Sequence, residues 1–291
     1  DLADCHLVVE AVPESLELKR DVFARIAAFA PPATVVVTNS STLLPSDLMD
    51  STGRPDRFLA LHFANHIWVN NIAEVMGSPN TDPRVYQRVV AFAKDIGMTV
   101  WRVVGGFLIA AALALPLGVL MGAYKPIEAF FEPFVSFARY LPASAFIPLL
   151  ILWAGIGEAQ KLAVIFIGSF FQLVLMIAVT VGNTRRDLVE AAYTLGSSDA
   201  SLIKRVLIPG AAPEIAETLR MVLGWAWTYV IVAELIGASS GIGHMITDSQ
   251  ALLATDQIIF GIIVIGLIGL ASDFFFKWVN RKLFPWAQLG R

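Results

Sequence analysis

The sequence holds a single cysteine, few charged residues and no run of glycine and serine that would separate domains. Cys5 alone permits neither an internal disulfide nor a cysteine-ligated zinc site, and no other metal site is expected. Charged residues make up 15% of the 291 and hydrophobic ones 56%, which is too apolar for an ordinary soluble domain and points to membrane spans. The formal net charge of −3 gives no reason to expect a nucleic-acid partner. Gly-x-Gly-x-x-Gly is absent from residues 1–102, which removes the turn that holds a dinucleotide pyrophosphate. No basic start precedes an apolar run near Asp1, so no secretory signal is expected there.

What is present falls into two parts, residues 1–100 and 101–291, that meet near Val100–Trp101. In the first part Leu7–Val12, ATVVVTNSS, RFLALHFA and NIAEVMG read as strands. Leu16–Phe29 and Asp82–Ile96 read as helices, and the alternation predicts a parallel-sheet α/β segment. In the second part five runs are candidates for crossing the ~30 Å of hydrocarbon: Val103–Ala123, Leu141–Ile156, Leu162–Gly182, Leu219–Ala238 and Ile258–Trp278. Pro142 and Pro148 are expected to kink the second, since each removes a backbone donor. The fold class that follows is mainly α: a transmembrane bundle of about five spans preceded by an incomplete Rossmann-like α/β segment.

Lysine and arginine set the expected orientation. Loop 183–214 carries Arg185, Arg186, Lys204 and Arg205, and the tail carries Lys277, Arg281, Lys282 and Arg291. Both are expected in the cytoplasm, and five spans then place residue 102 outside. Arg220 lies near the inner end of the fourth span, where it can snorkel. Asp273 precedes Lys277 by one turn and predicts a local ion pair. Glu234 lies deeper, without a partner on its own helix, and both a structural and a functional role stay open for it.

The loop RRDLVEAAYTLGSSDASLIKRVLIPGAAPEI predicts helix, turn, helix. Leu188, Ala191, Ala192 and Leu195 share one face. Gly196 is a C-terminal cap, Ser197, Ser198 or Asp199 caps the next helix, and Pro209 ends it. The exposed apolar stripe calls for a partner. Glu190-Ala191-Ala192, Gly196 and Val206-Leu207-Ile208-Pro209 resemble the EAA loop of ABC importer permeases. WRVVGGFLIAAALALPLGVLMG, RYLPASAFIPLLILWAGIGEAQK, LRMVLGWAWTYVIVAELIGASSGIG and FPW are similar to the nitrate, sulfonate and taurine type, over residues 101–286. The resemblance implies a multi-pass subunit of the bacterial inner membrane, embedded in lipid, with its C-terminus in the cytoplasm. It implies a second permease copy, an ABC ATPase and an extracytoplasmic solute-binding protein as partners. ATP would be bound by the ATPase, and the permease would need no cofactor and have no catalytic site of its own. Glu190, Ala191, Ala192, Gly196 and Pro209 would form the coupling site.

The first hundred residues resemble part of the NAD-binding domain of 3-hydroxyacyl-CoA dehydrogenases, through VVEAVPESLELKRDVF, VTNSSTL, DRFLALHFANH, IAEVMGSPNTDP and IGMTV. The resemblance makes His62 and Glu74 the catalytic pair and Ser41 a substrate contact. It puts Glu14, Lys19, Asn39 and Asn65 beside the NAD cofactor. With the glycine turn absent, little NAD affinity and no normal turnover are expected. Such dehydrogenases are cytoplasmic, whereas the span count puts residue 102 outside. Beside the importer subunit for a small solute, two alternatives therefore stand: a dehydrogenase fragment, and a non-functional chimera of two partial genes.

Overall fold

The computed structural model describes residues 2, 5–63, 73–236 and 238–288. The chain divides into two compact units, Asp1–Gly97 and Met98–Arg291.

The first unit is a small mixed sheet with a helix on each face. Strands β1 (Leu7–Glu10), β2 (Val35–Thr38), β3 (Phe58–Phe63) and β4 (Ala73–Gly77) lie in that order. The first three are parallel, and β4 returns antiparallel beside β3. The wholly parallel expectation therefore fails at β4. Its connection, residues 64–72, is shorter than the dozen or so that a parallel crossover needs. Strand alternation sorts the core. Val36 and Phe58 meet Phe23, Ile26 and Ala30 of helix α1 (Leu16–Phe29) and its end, and Leu48 of the short α2 (Pro45–Leu48). Val37, Leu59 and Leu61 face the other way, onto Val85, Val89 and Ala93 of α3 (Pro83–Ala123). Arg54 closes the end of α1 by donating to the carbonyls of Ala27, Ala30 and Pro31.

The second unit is helical: the later part of α3, then α4 (Lys125–Ala138), α5 (Ile147–Ala154), α6 (Glu158–Gly182), α7 (Arg186–Thr194), α8 (Asp199–Leu202), α9 (Ile208–Leu235), α10 (Ile242–Ala251) and α11 (Thr255–Leu283). Among the described residues four helices are long and apolar enough to span a membrane: Pro83–Ala123, Glu158–Gly182, Asp199–Leu235 and Thr255–Leu283. A fifth span exists if Lys125–Ala138 and Ala143–Ala154, bent 82° to each other, count as one. A kinked helix at Leu141–Ile156 was expected, and the chain instead breaks there. Pro142 is extended and stops the preceding helix, whereas Pro148 lies in the first turn of α5, where no N–H is required of it.

Pro209 does not end a helix. A π-turn at Ile203–Leu207 lets the Ile208 N–H bond the Ile203 carbonyl, and the helix continues from Asp199 to Leu235 with Pro209 in the first turn of α9. Lipid gives packed helices no hydrophobic drive toward each other, so close backbone approach must hold the bundle. Helix α3 supplies it with glycines against α6. A Cβ at Gly106 or Gly118 would lie 2.8 Å from Ile165 or Ile177, and one at Gly122 would lie 2.6 Å from the Ala178 carbonyl.

Gly122→Val is expected to destabilise the bundle by ~1–3 kcal/mol through overpacking. Gly224→Val, where a Cβ would meet nothing within 4 Å, should change stability by less than ~0.5 kcal/mol. Unfolding in mixed micelles, titrated with a denaturing detergent, compares the two.

Candidate functional site

The 183–214 loop folds as a helical hairpin. Helix α7 closes with the double bond of a Schellman cap: Ser197 N–H to the Ala192 carbonyl at 3.0 Å and Gly196 N–H to the Tyr193 carbonyl at 2.9 Å. Gly196 has a φ of 79°, the left-handed region this cap requires. Of the three candidate caps for the next helix, Ser198 accepts from the Ser201 N–H at 3.4 Å. The Tyr193 hydroxyl donates to Asp199 at 3.0 Å and ties the two helices together. That bond to a carboxylate also pushes the tyrosine pKa up. At the hairpin's start Arg185 donates to Asp187 at 3.1 Å, which holds the Asp187 carboxyl below its ordinary range.

The apolar stripe divides. Ala192 turns inward, and Leu202 and Leu207 are buried, while Leu188, Ala191 and Leu195 stay exposed, Leu195 at 87%. Glu190 and Pro209 are exposed as well.

At the other end of α6 and α9 lies a buried polar cluster. Arg102 of α3 is fully buried and donates to Glu158 through Nε (2.7 Å) and Nη2 (2.6 Å). Its Nη1 reaches Glu234 Oε1 (2.8 Å) and the Ser240 carbonyl (2.7 Å), and Nη2 also reaches Ser240 Oγ (3.3 Å). All five guanidinium donors are thereby engaged. Glu234 in turn accepts from Thr99 Oγ1 (2.9 Å) and the Gly243 N–H (2.8 Å). Lys161 stands 3.3 Å from Glu158. Gly241, at φ 113°, and Gly243 leave room for this carboxylate, since a Cβ on them would come within 2.5 and 2.6 Å of the Glu234 side chain.

Arg220 does not stand alone at the inner end of its span. It donates to Glu217 at 2.8 Å and pairs with Asp273, which also holds Lys277 at 2.7 Å. Asn280 reaches Glu217 at 3.1 Å and completes a second polar tie, between α9 and α11.

In the first unit His62 and Glu74 face each other across β3 and β4, with Nδ1 and Oε2 3.5 Å apart. Lys19 is buried against Glu10 at 2.8 Å, and Glu10 also accepts from Thr38 at 2.6 Å. Asn39 accepts from the Phe63 N–H at 3.0 Å. Glu14 gathers the 40–43 loop, accepting from Ser40, from the N–H groups of Ser41, Thr42 and Leu43, and from the Thr42 hydroxyl. Partial burial raises its pKa, and these bonds outweigh that and draw it down to about 2. Asn65 lies outside the described residues. Of the residues expected beside NAD, Glu14, Lys19 and Asn39 are thus engaged within the fold, and residues 1–102 offer no glycine cradle for its pyrophosphate.

Sequence reading singled out Glu234 but missed its partner. Arg102 stands just outside the first apolar run, and nothing local marks Thr99, Glu158 or Ser240. An arginine immediately before the first apolar run and a glutamate within the fourth, both at the same end of the bundle, were the available signal.

Residues 114–285 match the family described as binding-protein-dependent transport system inner membrane component. Residues 1–105 match the 3-hydroxyacyl-CoA dehydrogenase NAD binding domain. A protein of Methanocaldococcus jannaschii named as an ABC transporter permease is 36% identical over 66% of this chain and 72% of its own length. The taurine transport system permease protein of Escherichia coli is 31% identical over 66% of this chain and 70% of its own. The inward-facing methionine ABC transporter MetNI shares the fold, with a TM-score of 0.55 at 18% identity over 69% of this chain and 98% of that one. The chain spans 62% of the length of a diketoreductase structure, at 37% identity over 56% of this chain and a TM-score of 0.31.

Replacing Arg102 by Met leaves Glu234 buried without its cation and is expected to cost ~3–5 kcal/mol. The double variant with Glu234→Met should recover most of that loss, and detergent-titrated unfolding measures both. In the first unit the depressed Glu14 pKa gives stability that is complete above about pH 4.5 and fades as pH falls toward 2. Hydrogen-exchange protection of the Thr42 and Leu43 amides in the whole chain should fall through that window. In Glu14→Gln, whose amide oxygen accepts the same bonds without titrating, it should not change across that window.

Proposed function

The chain belongs to the family of binding-protein-dependent transport system inner membrane components, and from that membership we propose that it is the membrane-spanning subunit of an ATP-driven importer of a small oxyanion. It is an integral membrane protein, and its family and apolar helices agree on this point. The proposal adds the inner membrane, a cytoplasmic C-terminus, a second copy of the chain, a soluble ATPase and an extracytoplasmic binding protein. The taurine permease relative supports an oxyanion as solute.

The observation that carries the reading is the hairpin of α7 and α8, which presents Leu195 at its tip. A capped, internally bonded hairpin with an uncovered apolar tip is a rigid plug for a groove on another protein. Basic residues on this loop favour its cytoplasmic side. Helix α6 begins at the Arg102 cluster and ends at the loop, so the cluster belongs to the extracytoplasmic end. In this mechanism ATP draws the ATPases together, the hairpin follows, and α9, continuous with α8, tilts. For ATP to shift the spans, the hairpin must hold the ATPase differently in the two states. The tie of Arg102 to Glu158 and Glu234 joins α3, α6 and α9 at the far end and sets where they pivot.

The dehydrogenase reading has the His62–Glu74 approach in its favour. The engagement of Lys19 and Glu14 within the fold weighs against it.

Leu195→Asp should abolish copurification of the ATPase from co-expressing membranes, by 10-fold or more, while the chain stays in the membrane after alkaline washing. Equal capture by the variant would remove the hairpin from the mechanism.

A further inference from the structure

Within the second unit a cavity of about 340 Å³ opens at the break between α4 and α5, against α6 and α9. That volume is at the small end of the ~300–1,000 Å³ typical of ligand sites. Its α6 wall includes Ile167, Gly168, Phe171 and Gln172, the central turns of a 25-residue span, so it lies near mid-membrane. Most of the lining is apolar, and Arg139, Tyr140, Ser144, Gln172, Thr228 and Tyr229 supply the polar groups.

The polar groups are unbalanced. Arg139 is the sole ionisable acid or base of the lining besides the tyrosines, and no carboxylate lines the cavity. Its guanidinium donates to the Tyr140 hydroxyl at 2.9 Å and lies 4.7 Å from that ring. Among the described residues it makes no ion pair, whereas Arg102 and Arg220 both do. The side chains of Ser144, Gln172 and Tyr229 have no hydrogen-bond partner among the described residues either. A cation and three uncommitted polar groups thus line one cavity at membrane depth, Arg139 and Ser144 exposed and Gln172 and Tyr229 half-buried, all open to a ligand and with no carboxylate to compete for them. Gly168 shapes the wall, because a Cβ there would lie 2.6 Å from the Tyr229 ring.

We propose that this cavity is a transit site for the solute and that Arg139 makes it selective for small oxyanions of the sulfonate type. The planar fork of an arginine donates in parallel to two oxygens of such a group. Ser144, Gln172 and Tyr229 can donate to the third, and the apolar wall takes a short carbon tail. The inference rests on the importer reading and adds to it the residues that hold the solute inside the bundle.

The test uses the whole chain in phosphatidylcholine nanodiscs, with ethanesulfonate as probe and choline as the cationic control, followed by tryptophan fluorescence. Saturable binding of ethanesulfonate and none of choline is expected. Arg139→Gln should weaken it roughly 10- to 100-fold, the scale of a lost charged hydrogen bond. Arg139→Lys should retain more affinity than Arg139→Gln, and Gly168→Ala should weaken binding by pushing Tyr229 into the cavity. No saturable binding, or equal binding by Arg139→Gln, overturns the site. A response to added phosphatidylglycerol alone also overturns it, since a lipid headgroup would then be the ligand. ATPase capture by the same nanodiscs is scored in parallel. Capture without ethanesulfonate binding removes this site and leaves the importer reading, whereas failure of capture removes that reading.

Discussion

Arg102 has no exposed surface, and a guanidinium cannot shed its charge, so every contact around it answers to that one constraint. Two carboxylates from α6 and α9 neutralise it, and Ser240 in the turn before α10 takes the donors that remain. The backbone is shaped to allow this. Gly241 and Gly243 bring the chain against Glu234 closer than any side chain would permit. Four separate stretches of sequence therefore meet at one ion, and none of them can be displaced alone without leaving a buried charge or dipole unmatched.

Further along the bundle the controlling feature changes from charge to size. Glycines on α3 let its backbone sit against α6, and a second group of hydrogen-bonded charges forms where Arg220, Glu217, Asp273 and Asn280 tie α9 to α11. The bundle is thus fastened by hydrogen-bonded charges at each end and by close packing between them. This is the arrangement expected where lipid offers neither a hydrophobic drive nor solvent for polar groups. Arg139 departs from it, which is why the cavity beside it carries functional meaning.

Much of this was legible in the apolar runs. Composition and length locate the long spans, since few other structures need twenty apolar residues in succession. The Glu190–Gly196 segment yields its hairpin because cap residues and face periodicity agree there. The break after Ala138 was hidden, because the stretch from Phe130 to Ile156 is apolar on both sides of it. Pro209 misled for a different reason: proline reads as a stop, and a π-turn re-registers the bonds around it. The pairing of Arg102 with Glu234 spans 132 residues, and no local pattern encodes a contact at that distance. In the first unit the antiparallel return of β4 was available from the length of its connection. The internal engagement of Lys19 was not, since its ion pair with Glu10 depends on how helix and strand pack. The dehydrogenase match runs to residue 105, yet Thr99 and Arg102 pack within the membrane unit. Family likeness and physical domain thus part company over a few residues.

The uninterrupted helix from Asp199 to Leu235 has a mechanical consequence. A loop between hairpin and span would absorb a small displacement as slack. A helical rod carries it as thrust, and a compliant joint lies at the π-turn, where the bonding pattern is looser. The stiffness of that joint thus governs how much of a push at one membrane face is felt at the other.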